Sequence, residues 1–397
     1  MTPVDLRQYT VLYFPPVEWT GLYQRPQHLA IEMTRSFKRV IYIQPIGLRP
    51  VRPRDTLRIW RHLRSHAKGI RKQERKHPDN LEVHAAPLLP LSGISPADRI
   101  NARILQNRLL KILHGTSPDH VLLWGCTPAP FLRHLFPLLN RTLFVFDWID
   151  DYSLFDHLPE AVVETQDWFL QHADLVFATS SVLVQRAATL RTGPTYLLPN
   201  GVDFEHWQNT SSIPGTSALL QHIPHPIVGY FGTLSHWIDR EVILGVSTQY
   251  PLWQFVFIGP RADDGYLDPV FSRPNCHWLD SQPYETLPGL AAQFDVCWMP
   301  FRQTDLTDTI NPVKIYEYLA LGKAVVAPPL PDLIHLSPAV EFAVKSVEYG
   351  QLINKMIHNE KKGSREDERR LQARRFSWSN LWQQAGNHVS ESLSEFR

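Results

Sequence analysis

Short apolar runs recur along this chain with helical patterns in the gaps, and that alternation limits what it can fold into. In the first half the runs are TVLYFP (10–15), RVIYIQP (39–45), LEVHAAPLL (81–89), HVLLWGC (120–126), TLFVFDW (142–148), LVFATS (175–180) and TYLLPNG (195–201). Most are near-continuous, as in parallel strands covered on both faces. Helical patterns at 26–36, 97–113 and 160–172 lie between them. Strand alternating with helix predicts a doubly wound α/β domain, whose ligands sit beyond the carboxyl ends of the strands. A second series follows: IVGYFGT (227–233), WQFVFIGP (253–260), NCHWLD (275–280), VCWMPF (296–301), AVVAPP (324–329) and EFAVKS (341–346). The two series are separated by a stretch rich in Ser, Thr and Pro, so we expect domains at 1–205 and 227–375 with a linker at 206–226. Two Rossmann-like domains joined in this way face a cleft, a preferred ligand site.

The bulk numbers narrow the function classes. A chain of 397 residues is too long for one ordinary core. A net charge of +1 argues against a polyelectrolyte binder, so no nucleic-acid partner is expected. Cys126, Cys276 and Cys297 lack paired spacing, which excludes a disulfide framework or a zinc site and fits reduced thiols in a cytoplasmic protein. The start of the chain lacks the pattern of a signal peptide, and no apolar stretch approaches the roughly 20 residues of a membrane span. The absence of GxGxxG after the first strand argues against a nicotinamide or flavin cofactor.

Candidate residues cluster at strand ends. In NPVKIYEYLALGKAVVAPP (311–329), Pro312 to Leu321 reads as a helix, with Gly322 just past its end. Lys314 and Glu317 share a face of it, and Ile315, Leu319 and Tyr318 point inward. The helix dipole disfavours a cation at that end, so Lys314 is read as a phosphate ligand; the plainer reading is a solvated ion pair with Glu317. In GYFGTLSHWIDRE, Gly232, Thr233 and the backbone amides of a following helix can take phosphate oxygens, with Arg240 close behind. The loop 302–310 offers Asp305, Thr307 and Thr309 to a sugar. After the first strand, Gly21 permits close backbone approach, Pro26 opens a helix, and Arg25 and His28 stand at its start. The fifth run ends in three carboxylates, Asp147, Asp150 and Asp151. Such a cluster can bind sugar hydroxyls, hold a metal or act as a base, or an Asp can simply cap a turn. The segment 49–76 holds eleven Lys or Arg and two acids, with Trp60, Leu63, Ala67 and Ile70 as an apolar stripe. It reads as a helix on an anionic membrane surface; an RNA-binding helix and a solvated insertion are the other readings.

These residues together resemble the GT-B glycosyltransferases, in the large retaining group that uses nucleotide-sugar donors. LLPNGVDFEHW resembles the family's PNGVD hinge, GYFGTLS its first donor-domain strand, and NPVKIYEYLALGKAVVAPPLP its donor-binding signature. WTGLYQRPQHLA and FDWIDDY are similar to bacterial teichuronic-acid or exopolysaccharide enzymes. The resemblance implies that Glu317 binds the donor ribose, and that Thr309 stands where a Glu usually contacts the donor sugar, a departure from the signature. Asn311 lies in the donor motif. Lys314 or Arg240 would stabilise the leaving diphosphate, Asp150 and Asp151 would join the catalytic set, and Gly21, Arg25, His28 and Asp147 would serve the acceptor side. The implied reaction is sugar transfer with retention from a nucleotide sugar to a saccharide or lipid-linked acceptor, without cofactor or metal. It would take place in the cytoplasm, with peripheral attachment to the membrane. The family's last helix, here 376–397, crosses back to the first domain. Rival readings are a nucleotide-sugar epimerase and a non-catalytic sugar-nucleotide-binding or scaffold protein.

Overall fold

Each of the thirteen apolar runs forms a strand. The computed structural model describes residues 4–21, 23–45, 77–85, 88–89, 93–155, 158–209, 217–359 and 365–395, so the expected basic helix at 49–76 lies outside the described residues. The first seven strands are β1 (Thr10–Phe14), β2 (Arg39–Ile43), β3 (Leu81–His84), β4 (Val121–Gly125), β5 (Leu143–Trp148), β6 (Leu175–Ala178) and β7 (Thr195–Leu197). They form one parallel sheet in the order β3-β2-β1-β4-β5-β6-β7. The remaining six are β8 (Ile227–Phe231), β9 (Gln254–Ile258), β10 (Cys276–Leu279), β11 (Val296–Trp298), β12 (Val325–Ala327) and β13 (Val340–Phe342). They form a second parallel sheet in the order β10-β9-β8-β11-β12-β13. In both sheets the order reverses beside the first strand, which makes the carboxyl ends of β1/β4 and β8/β11 the switch points where doubly wound sheets take ligands.

The chain divides into two units, Met1–Leu198 with Leu381–Arg397, and Pro199–Asn380. In the first unit, β1, β4, β5 and β6 are buried along their whole length, because helices such as Arg25–Ser36 and Glu160–His172 cover the sheet faces. Phe136, Phe144, Phe146 and Phe169 interlock at 4.9–5.3 Å between ring centres. The end of the Trp378–Glu395 helix packs here: Trp382 Nε1 donates to Ser36 Oγ at 2.9 Å, and His388 stacks on Tyr196 at 3.6 Å.

In the second unit the core gathers around β8, β9, β11 and β12. The division at Leu198/Pro199 falls ahead of the expected linker at 206–226, because the described ends of that stretch are packed. Trp207, Leu220 and Ile223 are buried in the second core, and Trp207 stacks on Phe231 at 5.1 Å. Asn200 of the PNG turn is tied in as well, through its amides to the side chain and carbonyl of Asn311.

Candidate functional site

The polar centre of the second unit is built by the Val313–Ala320 helix and the turn after β8. Pro312 is the N-cap residue and no side chain caps the helix, so its N-terminus keeps unsatisfied amides that favour an anion. Lys314 stands there with its Nζ 3.0 Å from Glu317 Oε2 and 5.0 Å from the centre of the Phe231 ring. Its side chain is 29% exposed while that of Glu317 is 4%, so this is a buried carboxylate held by a cation that still reaches solvent. The ion pair of the plainer reading is thus formed, with its carboxylate buried rather than solvated. Ile315, Tyr316, Tyr318 and Leu319 anchor the helix in the core, and Gly322 follows it at φ +78°.

Gly232 meets this helix. A Cβ on Gly232 would lie 3.5 Å from Lys314 Cε and 2.7 Å from the Tyr230 hydroxyl, and its φ of +145° is one that L side chains rarely adopt. The Gly232 amide donates to the Ile258 carbonyl at 2.8 Å, so it continues the sheet. The expected helix directly after Gly232 is absent: residues 233–239 form a loop that buries Leu234 and Ile238, and the helix starts at Arg240. Asp239 caps it, taking the Glu241 and Val242 amides at 3.0 Å. Thr233 remains exposed on the loop. Arg240 lies beside Glu241 at 3.1 Å and over the Tyr266 ring at 4.9 Å, in a different cluster from Lys314. Asn311 is buried with its side chain engaged by Asn200 and Tyr316, which makes it a brace. Thr309 is buried and donates its hydroxyl to the Leu306 carbonyl at 2.8 Å, closing the short Asp305–Asp308 helix.

In the first unit, the three carboxylates after β5 have three fates. Asp147 is fully buried and forms a two-pronged pair with Arg25, at 2.7 and 3.2 Å. Arg25 opens its helix under a capping box made by Gln24 and Gln27. Asp151 caps the Tyr152–Leu154 turn, accepting from the Ser153 amide at 3.0 Å, Ser153 Oγ at 2.7 Å and Gln166 Nε2 at 3.1 Å, and pairs with Arg186. The turn-capping reading therefore holds for Asp151, which is also ion-paired with Arg186, while Asp147 is held by Arg25. Asp150 is half-buried with no hydrogen-bond partner among the described residues. Burial pushes its carboxyl up to about 6; the Asp151 charge adds to the rise and Arg25 opposes it. His28 is buried edge-on to Tyr23 at 4.3 Å. Gly21 closes a turn, its amide on the Glu18 carbonyl at 3.0 Å. Among the described residues, no group of three or more His, Cys, Asp or Glu could hold a metal, and no helix is long and apolar enough to cross a membrane.

Comparison with known proteins bears on the fold. No family model matches the chain. It is 27% identical over 168 residues to a Bacillus subtilis (strain 168) protein named "Putative teichuronic acid biosynthesis glycosyltransferase TuaH"; the match spans 41% of this chain and 42% of that relative. Among solved structures, Anabaena Alr3699/HepE in complex with UDP and glucose aligns over 96% of this chain and 100% of its own, at TM-score 0.69 and 16% identity. The sucrose-phosphate synthase (tll1590) of Thermosynechococcus elongatus aligns over 98% and 100%, at TM-score 0.69 and 14% identity. The chain has the GT-B fold. Two parts of this GT-B chain's centre escaped the sequence reading. Phe231 lies under Lys314 as an aromatic floor, disguised as an ordinary strand residue. Gly259, also at φ +145°, packs on Gly232: a Cβ there would come 2.1 Å from the Gly232 carbonyl oxygen. The signal was its place at the end of β9, matching that of Gly232 after β8.

Proposed function

We propose that this chain is a glycosyltransferase that moves a sugar, with retention, from a nucleoside-diphosphate sugar to an acceptor hydroxyl in cell-surface polysaccharide synthesis. The observation that carries the reading is the Lys314–Glu317 pair: an ammonium that reaches solvent at an uncapped helix N-terminus, fixed by a buried carboxylate beside the Gly232 turn. HepE structures with UDP, UDP and glucose, and UDP-glucose make UDP the first nucleotide to test, and the TuaH match supports the cell-surface polysaccharide reading.

The bond between the sugar C1 and the β-phosphate oxygen breaks, and its electron pair stays on the phosphate. Charge grows there in the transition state, where Lys314 and the free amides of the Val313–Ala320 helix are of the right sign to stabilise it. The acceptor oxygen bonds to C1 on the same face, and its proton passes to the leaving phosphate, so no metal or dedicated base takes part. Glu317 accepts from the ribose hydroxyls. Asp150, the one of the three carboxylates after β5 with no hydrogen-bond partner among the described residues, accepts from a saccharide or lipid-linked acceptor. The enzyme works in the cytoplasm, at the inner face of the membrane.

The test is thermal melting with a panel of nucleoside diphosphates, followed by transfer of labelled sugar. A ligand at roughly a hundredfold above its Kd adds about 2.7 kcal/mol to the folded state. UDP is expected to raise the melting temperature of the wild type and not of Glu317→Gln or Lys314→Ala. A shift that survives both variants overturns the site. The Thr309 hydroxyl, turned back onto its own turn, favours a second reading, a nucleotide-sugar binder without turnover. Binding without release of nucleoside diphosphate would select it.

A further inference from the structure

A second surface of the first unit carries its own chemistry. The Ser95–Ile112 helix buries one side through Ala102, Leu105 and Leu109. Its opposite side is exposed along Arg99, Ile100, Arg103, Asn107, Leu110 and Lys111. At 3.6 residues per turn these six fall within an arc of about 120°. Ile100 is 51% exposed and Leu110 56%, close to both ends of the helix. A single exposed apolar residue needs no explanation. Here two share a face with three cations, and the helix's one acid, Asp98, is 2% exposed on the buried side. The field extends to the neighbouring Leu132–Leu135 helix, where burial first, then the Arg133 and Arg99 charges, hold His134 below its usual pKa. Arg133 on that helix is paired with the exposed Glu164 at 2.7 Å.

We propose that this face of the Ser95–Ile112 helix docks on an anionic lipid bilayer, with Arg99, Arg103 and Lys111 at the headgroups and Ile100 and Leu110 inserted between them. Apolar side chains interleaved with cations on a helix without an exposed acid suit a lipid interface; a nucleic-acid surface has no use for the two aliphatic side chains. The proposal rests on the membrane-facing part of the function above and is independent of the donor site.

The test is co-sedimentation of the full chain with vesicles of phosphatidylglycerol and phosphatidylcholine, against pure phosphatidylcholine, at physiological salt. Each basic residue near an anionic surface contributes about 1 kcal/mol, about fivefold in partitioning. The wild type is expected to bind the anionic vesicles selectively. Arg103→Glu with Lys111→Glu is expected to lose more than about tenfold in partitioning. Ile100→Ser with Leu110→Ser, which leaves the charge unchanged, is expected to lose binding as well. All variants should keep the wild-type melting temperature and its rise with UDP. Unchanged binding in both variants moves the docking elsewhere on the chain and overturns the proposal. So does a wild type that ignores vesicles, or one whose binding to single-stranded RNA is what the variants lose. Loss of the UDP response alone would instead indict the donor site and leave this surface standing.

Discussion

Arg25 and Asp147 stand 122 residues apart in sequence and 2.7 Å apart in the fold. Removing one partner of such a buried pair leaves an uncompensated charge, so Arg25→Ala is expected to destabilise the protein by about 3–5 kcal/mol. Urea titration checks this; replacing both residues by Met and Leu should cost less than the single change. Asp150 offers the opposite case. Its carboxyl is raised from the unfolded value of 3.8 to about 6, chiefly by burial, so the folded state is penalised when it ionises. The favourable contribution is complete below the unfolded pKa and is lost as pH rises through about 6. Asp150→Asn is therefore expected to raise stability at pH 7.5 by on the order of 1–3 kcal/mol, with the gain fading toward pH 4. Melting curves across that range decide it, and a gain constant with pH would refute the assignment. In the sequence the three carboxylates looked alike. Separating them needs Arg25, Gln166 and Arg186, partners supplied by other elements that no local pattern identifies.

The central strands β1, β4, β5, β6, β8, β11 and β12 were legible because they are buried along their whole length and so are almost wholly apolar, which leaves a continuous signal; the edge strands β3, β7, β10 and β13 are only partly buried and were read from their place in the alternation. The Val313–Ala320 helix was legible for a related reason: Ile315, Tyr318 and Leu319 recur at helical spacing, with Pro312 and Gly322 as its bounds. The turn after β8 was misread as a helix start, since Leu234 and Ile238 bury from an irregular loop whose period resembles nothing regular. That turn is shaped by Gly232 against Gly259. Gly259→Ala would place a methyl 2.1 Å from the Gly232 carbonyl oxygen at a backbone angle of +145°. Strain of this kind costs about 1–3 kcal/mol, and relief must come from moving the Gly232 turn. We expect lower stability and, beyond it, a weaker melting shift with UDP than an equally destabilised core variant such as Val256→Ala shows. Equal shifts in the two variants would mean that the turn does not shape the donor site.

At the scale of the whole molecule, the repeated strand–helix alternation announced two doubly wound sheets, while the exact division stayed hidden. The Ser, Thr and Pro of 206–226 read as linker, yet Trp207 stacks on Phe231 and so ties the stretch to the floor beneath Lys314. A large aromatic inside a polar run was the clue, and polar composition outweighed it. Its position has a consequence for the proposed donor site. If UDP binds at Lys314 and Glu317, the ligand stabilises Phe231 and, through it, Trp207. Amide hydrogen exchange should then slow in the Phe204–Gln208 helix as well as in β8 and the Val313–Ala320 helix. Trp207→Ala removes a fully buried ring and should cost about 3–5 kcal/mol, as large core truncations do. It should also abolish the protection of 204–208 while leaving some at the Val313–Ala320 helix. Protection by UDP that bypasses 204–208 in the wild type would show that the stretch is a passive connector, as its composition first suggested.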